Sequence, residues 1–309
     1  MVLFKVVTSI GPLLFLGFIN ELAEILSTYG ITIKLFADDS KMYAEIVKMD
    51  DVTKLRTALD RLAEWAELWQ LKLSIDKCYV LNIGNAAITC NYSVSGHVLP
   101  VVTSCRDLGI IVSHDLKPRT HINTIVLKAQ QRANIILRCF LSSDAAVLIR
   151  AFKVYVRPIL EFNSVVWSPT LKCDIECIEK VQRNFTKRLP GLKNVSYADR
   201  LDRLNLITLE LRRLHADLIM CYKIVSGNVD LNFDDFFKYT SSPATVTRGH
   251  RYKLFVQRSD GIRTTFFSQR VINVWNFLPA ITVNFDSVRT FKHSLKCIDF
   301  KSFLLQTLQ

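Results

Sequence analysis

The residues of this sequence best placed to do chemistry are Asp38 and Asp39, adjacent carboxylates in the run Phe36-Ala37-Asp38-Asp39. Carboxylate oxygens are hard ligands for Mg²⁺, and nucleotidyl transfer needs Mg²⁺ ions that bridge the attacking hydroxyl and the leaving phosphate. To act this way, both acids must project from a tight turn into a cleft. The flanking residues supply such a turn. Ile31 to Phe36 alternates as a short strand, Ala37-Asp38-Asp39-Ser40 is turn-forming, and Met42 to Val47 resumes a strand pattern. Residues 31–47 are therefore expected to form an antiparallel hairpin with the acids at its tip. Asp is also a favoured turn residue, so the pair taken alone is weak evidence for catalysis and turn chemistry explains it better.

The elements around this hairpin follow from periodicity. Residues 13–29 read as a helix stopped by Gly30. From Asp51 to Gln70 the apolar positions Val52, Leu55, Leu59, Leu62, Trp65 and Trp69 recur every three or four residues, an amphipathic helix started by Asp50 or Asp51. Leu71 to Ile83 alternates again, short strands flank a Ser95-Gly96 turn, and another strand runs through Leu108-Gly109-Ile110-Ile111-Val112. After Pro118 the texture turns helical, with helices expected at 121–140, 144–156, 172–189, 197–204 and 208–226. The tail, broken at Pro243 and Gly249, has no assigned architecture. The pattern as a whole predicts an α+β fold.

Half of the 309 residues are apolar, which is enough for a sizeable core, and 40 Lys+Arg against 28 Asp+Glu leave a net charge of +12. That balance favours a polyanionic partner: nucleic acid first, an anionic membrane surface second. Residues 117–200 hold 15 Lys/Arg and 6 Asp/Glu, nine of the twelve excess charges. Lys128, Arg132 and Arg138 in one expected helix, and Lys180, Arg183 and Lys187 in another, recur at spacings that can share a face. The competing explanation is a solvated face opposite the core stripe.

Eight cysteines are spread without the dense spacing of a secreted scaffold, which predicts reduced thiols and an intracellular protein, nuclear or cytoplasmic. Cys173 and Cys177 lie four apart with no second pair to complete a tetrahedron, so no structural zinc is expected and they read as core thiols. The six histidines, among them His97, His114 and His121, form no cluster, and Trp65, Trp69 and Trp167 read as core residues. Met1 to Lys5 followed by apolar Ile10 to Ile19 has the outline of a signal peptide, but Pro12 breaks the run and no small-residue cleavage site follows. No stretch reaches the roughly 18–20 apolar residues that span a bilayer, so no membrane partner is expected.

Gly11-Pro12-Leu13-Leu14-Phe15, then Phe18-Ile19-Asn20-Glu21-Leu22, then Phe36-Ala37-Asp38-Asp39 together resemble the palm of reverse transcriptases from non-LTR (LINE-type, CR1/jockey-like) retrotransposons. Trp69-Gln70-Leu71-Lys72-Leu73-Ser74 with Lys77 resembles the segment after the palm helix, and Leu108-Gly109 the primer-grip turn. Tyr155-Val156-Arg157-Pro158-Ile159-Leu160-Glu161-Phe162, Val166-Trp167-Ser168-Pro169 and Ile178-Glu179-Lys180-Val181-Gln182-Arg183 are similar to the thumb and beyond. Phe267-Ser268-Gln269-Arg270-Val271 and Val274-Trp275-Asn276 extend the likeness over nearly the whole chain.

The resemblance implies a Mg²⁺-dependent RNA-directed DNA polymerase with an RNA template and a DNA primer as partners. Asp38 would be the metal-binding acid and Asp39 its less direct companion, with Phe36 near the primer terminus. Lys77 would be either a proton donor to pyrophosphate or a solvated strand-end lysine. The thumb cations would hold a duplex backbone without reading bases. The departures matter equally. Such polymerases take another metal-binding Asp from a palm strand well before Gly11, and Val6-Val7 stands where a Gln-Gly pair is usual. The expectation is a fragment: a partial palm at 1–116, a helical thumb-like domain at 117–230 and a C-terminal extension at 231–309. It should be inactive alone, or else be a non-catalytic nucleic-acid-binding remnant of a transposon.

Overall fold

The computed structural model describes residues 10–84, 88, 90–140, 144–240 and 249–305. The expectations that rest on residues 1–7 and on Pro243 lie outside them. Helix and strand are mixed, and the chain divides into two compact units: residues 1–105 with 113–115, and residues 106–112 with 116–309.

The first unit is built on a hairpin. Strands β1 (Thr32–Phe36) and β2 (Asp39–Tyr43) pair antiparallel, with Phe36 opposite Asp39. Because side chains alternate, Ile33, Leu35 and Met42 turn inward while Thr32, Lys34, Phe36 and Tyr43 face out. The inner face packs on α1 (Ile10–Ser27) and α2 (Met49–Leu68), whose Leu22, Leu26, Ala58, Leu62 and Trp65 form one small core. Asp51 fixes the start of α2 by accepting the Val47 and Lys48 amides, each at 3.0 Å. The indole N–H of Trp65 donates to Glu21 at 3.2 Å, tying the two helices together.

A second small core gathers Val52 and Leu59 with Tyr92, Val94 and Leu99. Here β3 (Val80–Leu81) pairs parallel with β6 (Val101–Val102), and β4 (Ser93–Val94) pairs antiparallel with β5 (His97–Val98). Ser95 and Gly96 both take positive φ, +49° and +77°, the signature of a type I′ hairpin turn. The alternation from Leu71 to Ile83 is real, since Leu71, Leu73 and Ile75 are half-buried, but only Val80–Leu81 pairs as strand. Residues Ile75–Lys77 form a 3₁₀ turn instead.

Strands β7 (Ser104–Asp107) and β8 (Ile110–Ser113) form a hairpin whose tip, residues 106–112, belongs to the second unit, so the strand expected through Leu108-Gly109 begins only at Ile110. Helices α3 (Arg119–Cys139), α4 (Ala145–Tyr155), α5 (Arg157–Glu161), α6 (Ser164–Trp167), α7 (Lys172–Lys187) and α8 (Tyr197–Arg203) follow. Ile122, Ala129, Phe152, Leu160, Ile178 and Phe185 form the centre of their core. Helix α9 (Leu209–Val225) contributes Leu209 to that core and Leu218, Tyr222 and Ile224 to another, completed by α10 (Phe267–Phe277) and α11 (Val288–Ser294). The residues after 230 thus pack on α9 within the same unit, around the fully buried Trp275 and Phe291.

Candidate functional site

Asp38 is the second residue of a two-residue turn, and Asp39 opens β2. Both are exposed, as is Phe36 at 64%. Ala37 takes φ +52°, a left-handed conformation that costs an L-residue about 1–2 kcal/mol. Lys77 is exposed on its 3₁₀ turn, and no hydrogen bond or ion pair joins it to either carboxylate.

A Mg²⁺ pair needs more than this. Among the described residues no group of three His, Cys, Asp or Glu side chains comes together as a metal site. Two acids from one turn cannot enclose two ions without a carboxylate from a neighbouring strand. The described residues therefore do not fit a complete metal centre.

Leu108 and Gly109 form the tip of the β7–β8 hairpin with φ of +44° and +90°. A Cβ on Gly109 would lie 3.2 Å from Cε1 of Phe162, so the tip is pressed against that ring. Behind it, Trp167 donates from its indole N–H to the Phe162 carbonyl at 2.7 Å. His121 packs edge-on to Trp167 at 5.0 Å and accepts the Ile111 amide on Nδ1 at 3.2 Å. Burial, aided by Lys128, pushes the His121 imidazole below its ordinary range, which keeps Nδ1 free to accept.

The basic candidates do not share one face. Lys128, Arg132, Arg138, Lys180 and Lys187 are exposed and Arg183 is half-buried. Helices α3 and α7 pack together, leaving a groove of about 320 Å³ lined by Gln130, Asn134, Asn184, Lys187 and Arg188 over Ala133 and Phe185. At about 100° per residue, Lys180 lies on the stripe of Lys187, whereas Lys128 and Arg132 point roughly 150° or more away from the groove side of α3. Arg183 turns to the other side, its guanidinium 5.0 Å from the Tyr197 ring. Arg188 was not among the sequence candidates, and it is anchored at the groove by donating to Asn134 Oδ1 at 2.6 Å. That contact joins residues 54 apart, and no local spacing signals it.

The motif residues of the second unit serve a different purpose. Glu179 is fully buried and accepts from the Tyr197 hydroxyl and from the Leu209 amide at 2.8 Å. Burial raises its carboxyl above the usual range, while those hydrogen bonds and the buried Arg213 pull the other way. Gln182 donates to Tyr197 at 3.0 Å and to the Ile207 carbonyl at 3.1 Å. Glu161 accepts two bonds from Arg212. Arg270 grips Asp217 through two bonds of 2.9 Å and also donates to the carbonyls of Val165 and Thr265. Trp275 donates to the Tyr252 carbonyl, and Asn276 exchanges bonds with both backbone groups of Leu254.

Two further expectations need correcting. Trp65 and Trp167 are buried, but Trp69, at the end of α2, is 44% exposed because the helix stops one residue before it. Cys173 is no core thiol either. It is exposed at the start of α7, where Arg119 donates to its sulfur at 2.8 Å, while Cys177 is half-buried. All eight cysteines are free. Among the described residues no helix is long and apolar enough to cross a membrane.

No family model matches the chain, and no solved structure matches it. An uncharacterized Caenorhabditis elegans protein is 28% identical over 141 residues, which are 45% of this chain and 70% of that protein. Over 194 residues, 59% of this chain, the sequence is 24% identical to the RNA-directed DNA polymerase from mobile element jockey of Drosophila funebris, of which it spans 21%. The chain is thus distantly similar, over part of its length, to the polymerase of a mobile element.

Proposed function

We propose that this chain is a portion of an RNA-directed DNA polymerase of a non-LTR retrotransposon, whose helical unit holds nucleic-acid backbone and which does not polymerise by itself. The observation that carries the binding reading is the α3–α7 groove, where Lys187 and Arg188 stand beside the amides of Gln130, Asn134 and Asn184. Cations mixed with neutral donors suit phosphate oxygens and sugar hydroxyls, which position a duplex without reporting its sequence. The partial likeness to the jockey polymerase supports the same partner.

Binding to an RNA·DNA duplex should fall steeply with salt and depend little on sequence. Replacing Lys180 and Lys187 together with Gln removes two exposed cations on one stripe, so the slope of log affinity against log salt should become shallower by about two units. An unchanged slope would remove the groove from the interface.

The second reading, a nucleic-acid-binding remnant without catalysis, is favoured because no third carboxylate joins Asp38 and Asp39 among the described residues. Positioning and charge stabilisation supply nearly all of the rate in phosphoryl transfer, so a missing metal ligand costs many orders of magnitude. Primer extension on an RNA template by the 309-residue chain should match background, as should the Asp38→Ala variant. Extension that the variant abolishes would show that the hairpin acids suffice.

A further inference from the structure

The C-terminal part of the second unit carries a row of basic side chains that the groove does not include. Arg289, Lys292, His293 and Lys296 are all exposed and fall at i, i+3, i+4 and i+7 along α11 and the 3₁₀ turn after it. At about 100° per residue this spacing confines the four side chains to an arc of roughly 100°, about 10 Å long. The opposite side is locked into the core. Phe291 and Leu295 are almost wholly buried, and the Phe291 ring stacks on Tyr222 at 4.5 Å. Ser287 and Thr290 cap the helix start reciprocally. The row is therefore held in place by packing.

Its charges are also uncompensated. No carboxylate among the described residues pairs with Arg289, Lys292 or Lys296, and the nearest acids in sequence lie beyond the ends of the row. Of these, Asp286 is held by its backbone to Asn284 at 2.8 Å, and Asp299 sits 3.9 Å from Lys301. The segment does not resemble a membrane-surface helix, which keeps a free apolar face for the bilayer. Here the apolar residues Val288, Phe291, Leu295 and Ile298 all pack into the protein.

We infer that this row is a second nucleic-acid contact, which holds the phosphodiester backbone of a single RNA strand without reading its bases. The inference rests on the nucleic-acid reading of the chain, and its test separates the two. The slope of log affinity against log salt is measured for a 20-nucleotide single-stranded RNA and the 309-residue chain. Arg289→Gln, Lys292→Gln and Lys296→Gln combined should weaken binding and make the slope shallower by about two units, at roughly 0.7 per contact on a single strand. A control of equal net charge, Lys34→Gln, Lys72→Gln and Lys193→Gln, should leave the slope within half a unit of the parent, roughly the effect of less than one contact.

Unchanged thermal melts for both variants exclude misfolding. If the two triple variants behave alike, or if only Lys180→Gln with Lys187→Gln changes the slope, the row is not a contact and the groove reading survives. Absence of RNA binding by the parent chain overturns both. Loss of binding to phosphatidylserine vesicles with RNA binding intact would assign the row to a membrane and overturn the inference.

Discussion

Replacing Arg270 with Met should cost the second unit about 3–5 kcal/mol, the range for stranding one member of a buried ion pair. The side chains of Arg270 and Asp217 are only 12% and 5% exposed, and two bonds of 2.9 Å join them. The same guanidinium caps the carbonyl of Val165 at 2.7 Å and that of Thr265 at 3.0 Å. The variant leaves a buried carboxylate and two unfilled acceptors where α6, α9 and α10 meet. In a unit of about 200 residues each kcal/mol is worth roughly 2–4 °C, so the melting temperature should fall by about 6–20 °C.

The pH dependence fixes the cause. Burial already raises the Asp217 carboxyl above its ordinary range, and Arg270 opposes that rise. Without Arg270 the folded-state value climbs further. A raised carboxyl gives stability that is fully present below the unfolded value of 3.8 and is lost as pH rises through the folded value. The deficit of Arg270→Met should therefore shrink as pH falls from neutral toward the unfolded value of 3.8, and combining it with Asp217→Asn should recover part of the loss. Urea unfolding of the parent, both single variants and the double variant measures all of this. A loss below about 1 kcal/mol, or a deficit that is the same at both pH values, would refute the account.

Other outcomes follow from the same physics. His215 is pushed down to about 4, by burial first and then by Arg212 and Lys296, so its contribution is present above 6.5 and lost on acidification. Stability should drop by roughly 2 kcal/mol between pH 7 and pH 5, and His215→Gln should flatten that dependence in urea titrations. Gly109→Ala should destabilise by about 1–3 kcal/mol, because φ is +90° and the new methyl meets Phe162; a neutral result in thermal melts would disprove the strain. Ala37→Gly should act in the opposite sense, raising stability by roughly 0.5–1 kcal/mol once the extra freedom of the unfolded glycine is subtracted.

The hairpin and the long helices were legible because each carries its own period. Alternation on both sides of a turn-prone tetrapeptide predicted the hairpin and β1, but β2 occupies Asp39–Tyr43 rather than the expected Met42 to Val47, because the turn takes only Ala37 and Asp38; apolar repeats placed α2, α3, α7 and α9 within two or three residues. Contacts over long separations were not legible. The helices around Pro158 and Trp167 are too short to show a period, and their positions depend on the indole bond to Phe162. Trp69 fits the apolar repeat of α2 yet is exposed, since the helix ends at Leu68. The basic residues misled for a related reason. Spacing shows that two cations can share a helix face but not which face another helix has claimed, and Arg183 is drawn onto Tyr197 while Lys180 and Lys187 are exposed.

The structure also bears on how much function can be carried across a distant likeness. Glu161, Glu179, Gln182, Arg270, Trp275 and Asn276 all belong to segments that resemble the polymerase family. Each is at work inside the second unit, satisfying a buried or half-buried partner. Losing any one would leave that partner's polar group without its bond, so these residues are constrained by folding alone. Similarity in this region is therefore what inheritance of a scaffold produces, whether or not catalysis persists. Residues that hold nucleic acid must instead be exposed and free of such duties, a condition met by Lys180, Lys187 and the row from Arg289 to Lys296. If the scaffold has been kept while the chemistry has lapsed, substitutions at these exposed basic residues should weaken binding without unfolding the chain, and substitutions at the buried motif residues should unfold it first.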